Sequence, residues 1–480
     1  MDFHGMKVAE RSIRNYLSGR VFMARDGNED LIIADHVPGF RGRDLEEGVI
    51  AASLNHENAC VLRKLFPFTA PGRVLGKERS FGLGDRLGIA TAGHIKVFEK
   101  YDAFPVFAQQ SIRELNLTGR TYEEVLDAAS FAVFKAGFTK TWGADGDHLK
   151  TPEDIEHALS LGYSMITLDC SDYIKPFTEN AAPPLNAAYK EKYLEKKFDI
   201  DSEHGITIDF SEDDLKSITG VYGEAINFAV EMYNRFLKDG KYKADFEISI
   251  DEALLIDETS NPTSPREHYF IARELRDAKV DFKTLAPRFC GEFQKGIDYI
   301  GDLNRFKKEI KIHAAIARHF NYKLSIHSGS DKFSVFPAIA QETRCSFHTK
   351  TAGTSWLVAM KLVAQKDPSL YREIHRFALS VFDEAKKYYH VTSDLSKIPG
   401  LDSLEDAALP ALFDNDTARQ LIHITYGLIL GSKNSGGVFT YRERLYKLWS
   451  EYAEDYAEAL EEHIGRHLDL LGVTKERGKK

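Results

Sequence analysis

Several short apolar runs in this chain end in residues that can bind a cation, move a proton or grip an anion. One closes with Asp145, Asp147 and His148, another with Asp251 and Glu252. Others close with Asp169, with Arg288 followed by Glu292, with His327, Ser328 and Ser330, and with His348 and Lys350. Imidazole combined with carboxylate is a ligand set for a divalent ion such as Mn²⁺, Co²⁺, Ni²⁺ or Zn²⁺, and a strand end holds such a ligand rigidly. His148 and His327 are therefore the leading metal ligands, with Glu292 as a weaker third because it trails its strand by several residues. The competing reading of both histidines is hydrogen bonding at the mouth of a barrel, without metal. His313 stands apart. It lies in an apolar stripe with Phe306, Ile310, Ala317 and Phe320 at helical spacing, which predicts a core histidine.

Anion recognition has its own candidates. Arg86, Arg113, Arg288 and Lys350 could clamp a carboxylate, an arginine in bidentate fashion. His348 precedes Lys350 at alternate-strand spacing, which turns both to one side. The run Ser328 to Asp331, between a strand and a helix, could aim backbone N–H groups at an anion or be an ordinary turn with a helix cap. Gln109 and Asp169, each closing a run, complete the candidate substrate contacts. Gly82, Gly84 and Gly88 give G-x-G-x-x-x-G, one position off the dinucleotide fingerprint, and there is no phosphate loop, so no nicotinamide cofactor is expected.

The elements that must position these residues recur from about residue 79. Eight strand-like runs, each followed by a helical pattern, begin at Arg79, Phe104, Thr141, Tyr163, Phe246, Phe282, Lys323 and Ser346. Eight βα units predict an α/β fold of the (β/α)8 TIM-type barrel class, whose active site gathers at the C-terminal strand ends. Thr121 with Glu124, and Ser264 with Pro265 and Glu267, mark helix starts. Residues 1–75 read as a small N-terminal α/β appendage and 76–390 as the catalytic barrel. A helical insertion, read as a lid or an added subdomain, spans 172–244 between the fourth and fifth strands, with a helix over Ser211 to Lys238. Residues 391–480 read as a mainly helical extension. A further strand-like run is expected at Tyr388 to Thr392.

Bulk properties exclude other classes. A net charge of -10 and a pI near 6.0 argue against nucleic acid as the partner. Four scattered cysteines suggest neither a disulfide framework nor a zinc knuckle, and fit a reducing cytoplasm. No apolar stretch has the length of a membrane span or a signal peptide.

Longer blocks go beyond pattern. FGLGDRLGIATAGH (from Phe81), FPVFAQQSIREL (from Phe104), GRTYEEVLDAA (from Gly119), GADGDHLKTPED (from Gly143), QKGIDYIGDL (from Gln294), SIHSGSDKFSVFPA (from Ser325) and KTAGTS (from Lys350) together resemble the tagaturonate (fructuronate) epimerase family, over about residues 55 to 470. The resemblance implies a metal-dependent enzyme interconverting D-tagaturonate and D-fructuronate in hexuronate breakdown, with weak action on neutral ketohexoses as a further implication. It suggests Asp147 as proton acceptor, His148 and His327 as metal ligands and Glu252 as proton donor. Glu258 competes with Glu252, because ALLIDETSN intervenes before Pro262; Glu252 is favoured because it closes the strand. Adjacent Asp147 and His148 can serve different partners if the strand bulges there.

The two sugars differ at a carbon β to both the ketone and the carboxylate, whose C–H bond neither group acidifies. Retro-aldol cleavage followed by re-addition, or transient oxidation by a nicotinamide, would be needed, and the missing fingerprint favours the first. Another metal-dependent barrel isomerase, a class II-type aldolase, or a non-catalytic sugar-acid sensor are the alternatives. A homo-oligomer is compatible with each.

Overall fold

The computed structural model describes residues 1–176, 185–251 and 262–476. Eight parallel strands close into a barrel: β1 (Arg79–Leu83), β2 (Phe104–Ser111), β3 (Gly143–Leu149), β4 (Met165–Asp169), β5 (Asp245–Ser249), β6 (Thr284–Ala286), β7 (Lys323–Ile326) and β8 (Phe347–Thr351). β8 pairs with β1 from Phe347↔Arg79 to Thr351↔Leu83, which completes the ring. Each strand overlaps one of the runs read from the sequence, and β2, β3 and β5 each extend one residue beyond it.

The returning helices begin where side chains satisfy their orphan N–H groups. Thr121 and Ser264 form full capping boxes with Glu124 and Glu267, the second with Pro265 in the first turn, and Tyr122–Ala136 stops at Gly137 with φ 64°. Between β4 and β5 the chain adds helix Ala187–Tyr193, a hairpin of Lys197–Asp201 with Ile206–Asp209, and the long helix Glu212–Phe236, capped by Ser211 and Asp214. Tyr193, Phe198 and Phe210 of this insertion pack on Tyr269 and Phe270 of helix Pro265–Asp277. Its described part thus thickens the outer helical layer.

An N-terminal antiparallel sheet, including Gly19–Asp26, Glu29–Asp35 and Val49–Ser53, sits with helix His56–Leu65 against Phe131 and Phe134 of helix Tyr122–Ala136. After β8 the chain is helical and builds a second core around Trp356, Tyr371, Tyr426 and Trp449. Residues 388–392 are not a strand, contrary to expectation; they form a loop. Among the described residues no helix is long and apolar enough to cross a membrane.

What the barrel encloses matters most for function. Val106 and Met165, with Val74 and Leu75, plug its lower end with apolar side chains. Above them the interior is polar and charged: Asp145, Thr167, Glu247, Thr284 and His348 are fully buried and Lys350 nearly so. Ion pairs and hydrogen bonds must compensate such burial.

Candidate active site

His148, Asp251 and His327 converge at the C-terminal ends of β3, β5 and β7, each offering one ligand atom within 4.8 Å of the others. The ring centroids of the two histidines are 5.1 Å apart. His148 reaches this place because its backbone is left-handed, φ 56°, where the β3–β4 register shifts between Gly146 and Leu149. That bulge lets neighbouring Asp147 and His148 face one cavity, as the sequence reading required. Ser249 Oγ holds Asp251 through a 2.7 Å hydrogen bond to Oδ1. His327 Nδ1 stands 3.0 Å from Asp251 Oδ1 without hydrogen-bonding geometry, so the two atoms flank a common point. Two imidazoles and a carboxylate so placed fit a divalent transition-metal ion.

A buried ionic network supports this trio from beneath. Lys350 Nζ lies 2.8 Å from Asp145 and 3.3 Å from Glu247, contacts Asp147, and donates to Thr167 Oγ1 at 2.7 Å. Burial opposes the ammonium charge, but the three carboxylates outweigh it and hold the Lys350 pKa well above its ordinary value. Burial also works against Asp147, yet Lys350 and His148 keep it charged, far below the ordinary carboxylate range. Asp145 goes the other way. Its burial, with Asp147 and Glu247 nearby, outweighs Lys350 and lifts it to about 7. Burial lowers the His327 pKa, but Asp251 and Glu247 override it and raise it to about 10.

Above the trio opens a cavity of about 510 Å³. Asp147, His148, His327, Ser328, Asp169 and Lys350 line it as expected, as does Gln109. Gln109 donates from Nε2 to Thr351 O at 3.1 Å, while its buried Oε1 has no hydrogen-bond partner. A Cβ at Gly82 would collide with that amide, which is why β1 has glycine there. Lys150, Lys295 and Arg113 add positive charge to the walls, Lys295 donating to Ser328 Oγ at 3.0 Å. Tyr389, from the loop misread as a strand, stacks on Arg113 at 4.8 Å and also lines the cavity.

Four candidates lie elsewhere. Arg86 is buried beside the cavity, neutralised by Glu114 at 2.7 Å and stacked 3.7 Å from the Tyr426 ring, so it has no face left for a substrate carboxylate. Glu292 is about half exposed and bonds to Gln294 rather than approaching the histidines; Asp251 takes the third place in the trio. Arg288 is not among the cavity-lining residues; burial lowers its pKa. His348 sits one layer down, its Nδ1 2.9 Å from Ser80 Oγ, and burial pushes it down to about 3. Glu252 and Glu258 lie outside the described residues. His313 is a core histidine, 2.8 Å from His268.

Glu247 and Lys295 were missed, and Asp251 was noticed only as a strand-closing residue. Alternation along β5 could have found two of them, because Asp245, Glu247, Ser249 and Asp251 share the parity that faces the interior. Lys295 belongs to a loop of 16 residues between β6 and the next helix, where no periodicity operates.

Comparisons with known proteins agree with this architecture. A family model described as tagaturonate epimerase (UxaE) matches residues 9–471. The tagaturonate/fructuronate epimerase of Thermotoga maritima is 42% identical over 484 aligned residues, covering 97% of either chain. The glycerol-complexed crystal structure of fructuronate-tagaturonate epimerase from Cohnella laeviribosi superposes with a TM-score of 0.93 at 45% identity, covering 98% of this chain and 97% of that one. The native structure of the same enzyme gives 0.92 at 45%. With identity and coverage of this extent, the chain belongs to the tagaturonate epimerase family and is an isomerase.

Proposed function

We propose that this chain interconverts D-tagaturonate and D-fructuronate with the aid of a divalent cation held by His148, Asp251 and His327. The observation that carries the proposal is the convergence of these three ligands on a cavity whose walls carry Lys150, Lys295 and Arg113, suited to a sugar carboxylate. When bound, the cation would supply Lewis acidity to the substrate ketone.

The chain's own groups then divide the remaining work. Lys295, with Ser328 beside it, and Arg113 on Tyr389 offer the grip for the carboxylate. Gln109 Oε1 can accept from a substrate hydroxyl. Asp147 is committed to His148 and Lys350 and held far below the ordinary range, which suits an orienting group rather than the proton acceptor that the family resemblance suggests. Asp169 lines the same cavity, with Oδ1 accepting from Ser171 N at 2.9 Å and Lys150 Nζ 3.8 Å from Oδ2. We assign it the hydroxyl proton.

In the proposed route Asp169 takes the proton of the hydroxyl on the carbon β to the ketone. The bond between that carbon and its neighbour α to the ketone breaks, its electron pair passing into an enediolate, and an aldehyde is left. The aldehyde turns its other face, the carbon–carbon bond re-forms, and Asp169 returns the proton. No hydrogen leaves the epimerised carbon. The test is NMR of D-tagaturonate turned over in D₂O: D-fructuronate carrying protium at that carbon is expected. Deuterium there would overturn the retro-aldol route, and absence of D-fructuronate would overturn the function.

A further inference from the structure

The two histidines of the trio offer different ring nitrogens, and in each case a carboxylate occupies the other one. His327 Nε2 lies 2.9 Å from Glu247 Oε1, leaving Nδ1 toward Asp251. His148 Nδ1 lies 2.7 Å from Asp147 Oδ1, leaving Nε2 for the convergence point. A carboxylate accepts only, so the nitrogen facing Glu247 or Asp147 carries a hydrogen; the opposite nitrogen is the one that can present a lone pair to a cation, giving up any proton it shares with Asp251 when the cation binds. We infer that Glu247 and Asp147 are positioning residues that impose opposite tautomers on His327 and His148, so that the cation takes Nδ1 of one and Nε2 of the other. This inference rests on the cation reading proposed above.

Glu247 is the more telling of the two, because it touches neither the cavity nor the convergence point. Fully buried on β5, it is fixed from several sides: Thr284 Oγ1 donates to Oε2 at 2.6 Å, and Thr167 Oγ1 and Lys350 Nζ approach Oε1 at 3.1 and 3.3 Å. It cannot turn away from the imidazole without abandoning these partners. Carboxylates so placed behind a ligating histidine fix its ring and raise its basicity, and their loss typically costs roughly 10- to 100-fold in metal affinity. Asp145 provides the comparison: it is equally buried, pairs with the same Lys350 and accepts from the same Thr167, but bonds to neither histidine.

The experiment is calorimetric titration of the metal-stripped full chain with Co²⁺, for the wild type, Glu247→Gln and Asp145→Asn, with folding checked by circular dichroism. The inference expects E247Q to bind roughly 10- to 100-fold more weakly and D145N to lose clearly less. It also expects E247Q turnover, depressed at limiting Co²⁺, to recover at saturating Co²⁺. Equal losses in the two variants, or no loss in folded E247Q while the wild type binds, would overturn the inference and leave the cation reading standing. Failure of the wild type to bind Co²⁺ would overturn both. Where E247Q does not fold, a crystal structure of the Co²⁺-loaded wild type decides: His327 ligating through Nδ1 and His148 through Nε2 supports the inference, and either reversed overturns it.

Discussion

Asp147 and His148 are neighbours that a regular strand would turn to opposite faces. The left-handed conformation of His148 brings both to the cavity, and their hydrogen bond makes one the support of the other. The residue pair was therefore legible in the sequence, while the division of labour was not, because bonding to Lys350 comes from β8 across the barrel. Glu292 lies away from His148 and His327 for a related reason: proximity in sequence to a strand end says nothing about the direction of the following loop. If Asp169 moves the proton and Asp147 orients a ligand, substitutions separate them. Asp169→Asn should lower kcat by about 10²- to 10⁴-fold with Co²⁺ affinity unchanged, the range expected for a lost general acid–base group. Steady-state kinetics beside calorimetric titration checks this, and retained turnover or lost Co²⁺ binding would contradict the assignment.

At the scale of elements, the strands are placed by sequence and the loops by long-range contacts. The run from Ser328 to Asp331 was expected either to aim backbone N–H groups at an anion or to be an ordinary turn with a helix cap. In the structure Ser328 and Asp331 are both left-handed, the next helix begins only at Phe336, and the C-terminal helices lock the turn. Asp331 accepts from Arg419 at 2.5 Å and His463 Nε2 at 2.6 Å, and its N–H donates to His467 Nε2 at 3.0 Å. His467 Nε2 is thereby occupied, which makes this trio of Asp331, His463 and His467 an ionic staple rather than a second metal centre. Lys332 next to it spends its ammonium on the carbonyls of Gln294, Ile297 and Ser330, which ties the loop bearing Lys295 to the same turn. Asp331→Ala leaves Arg419 and His463 without their buried partner. It should cost about 3–5 kcal/mol of stability and raise KM, measured by denaturant unfolding and kinetics; an unchanged midpoint and KM would show that the helical extension does not hold the site.

Over the whole molecule, the eight-strand barrel was readable because each strand-like run is short and ends in polar residues, and helices such as Tyr122–Ala136 and Pro265–Asp277 carry their own caps. The charged interior was readable only in part: alternation along β5 groups Glu247 with Asp251, but that Asp145, Glu247 and Lys350 form one ionic network appears only once β3, β5 and β8 face one another. Net charge was equally silent about the site, as an acidic chain places Lys150, Lys295 and Arg113 on the cavity walls. The function proposed above is epimerisation of a sugar acid by this barrel with a cation at His148, Asp251 and His327. Its most direct test is NMR of D-tagaturonate incubated with chelator-stripped protein, then with Mn²⁺, Co²⁺, Ni²⁺ or Zn²⁺ restored, in the wild type and in Asp251→Asn. D-fructuronate appearing only after metal is restored, and only feebly in D251N, is the predicted result; conversion by the stripped wild type, or by D251N at the wild-type rate, would contradict it.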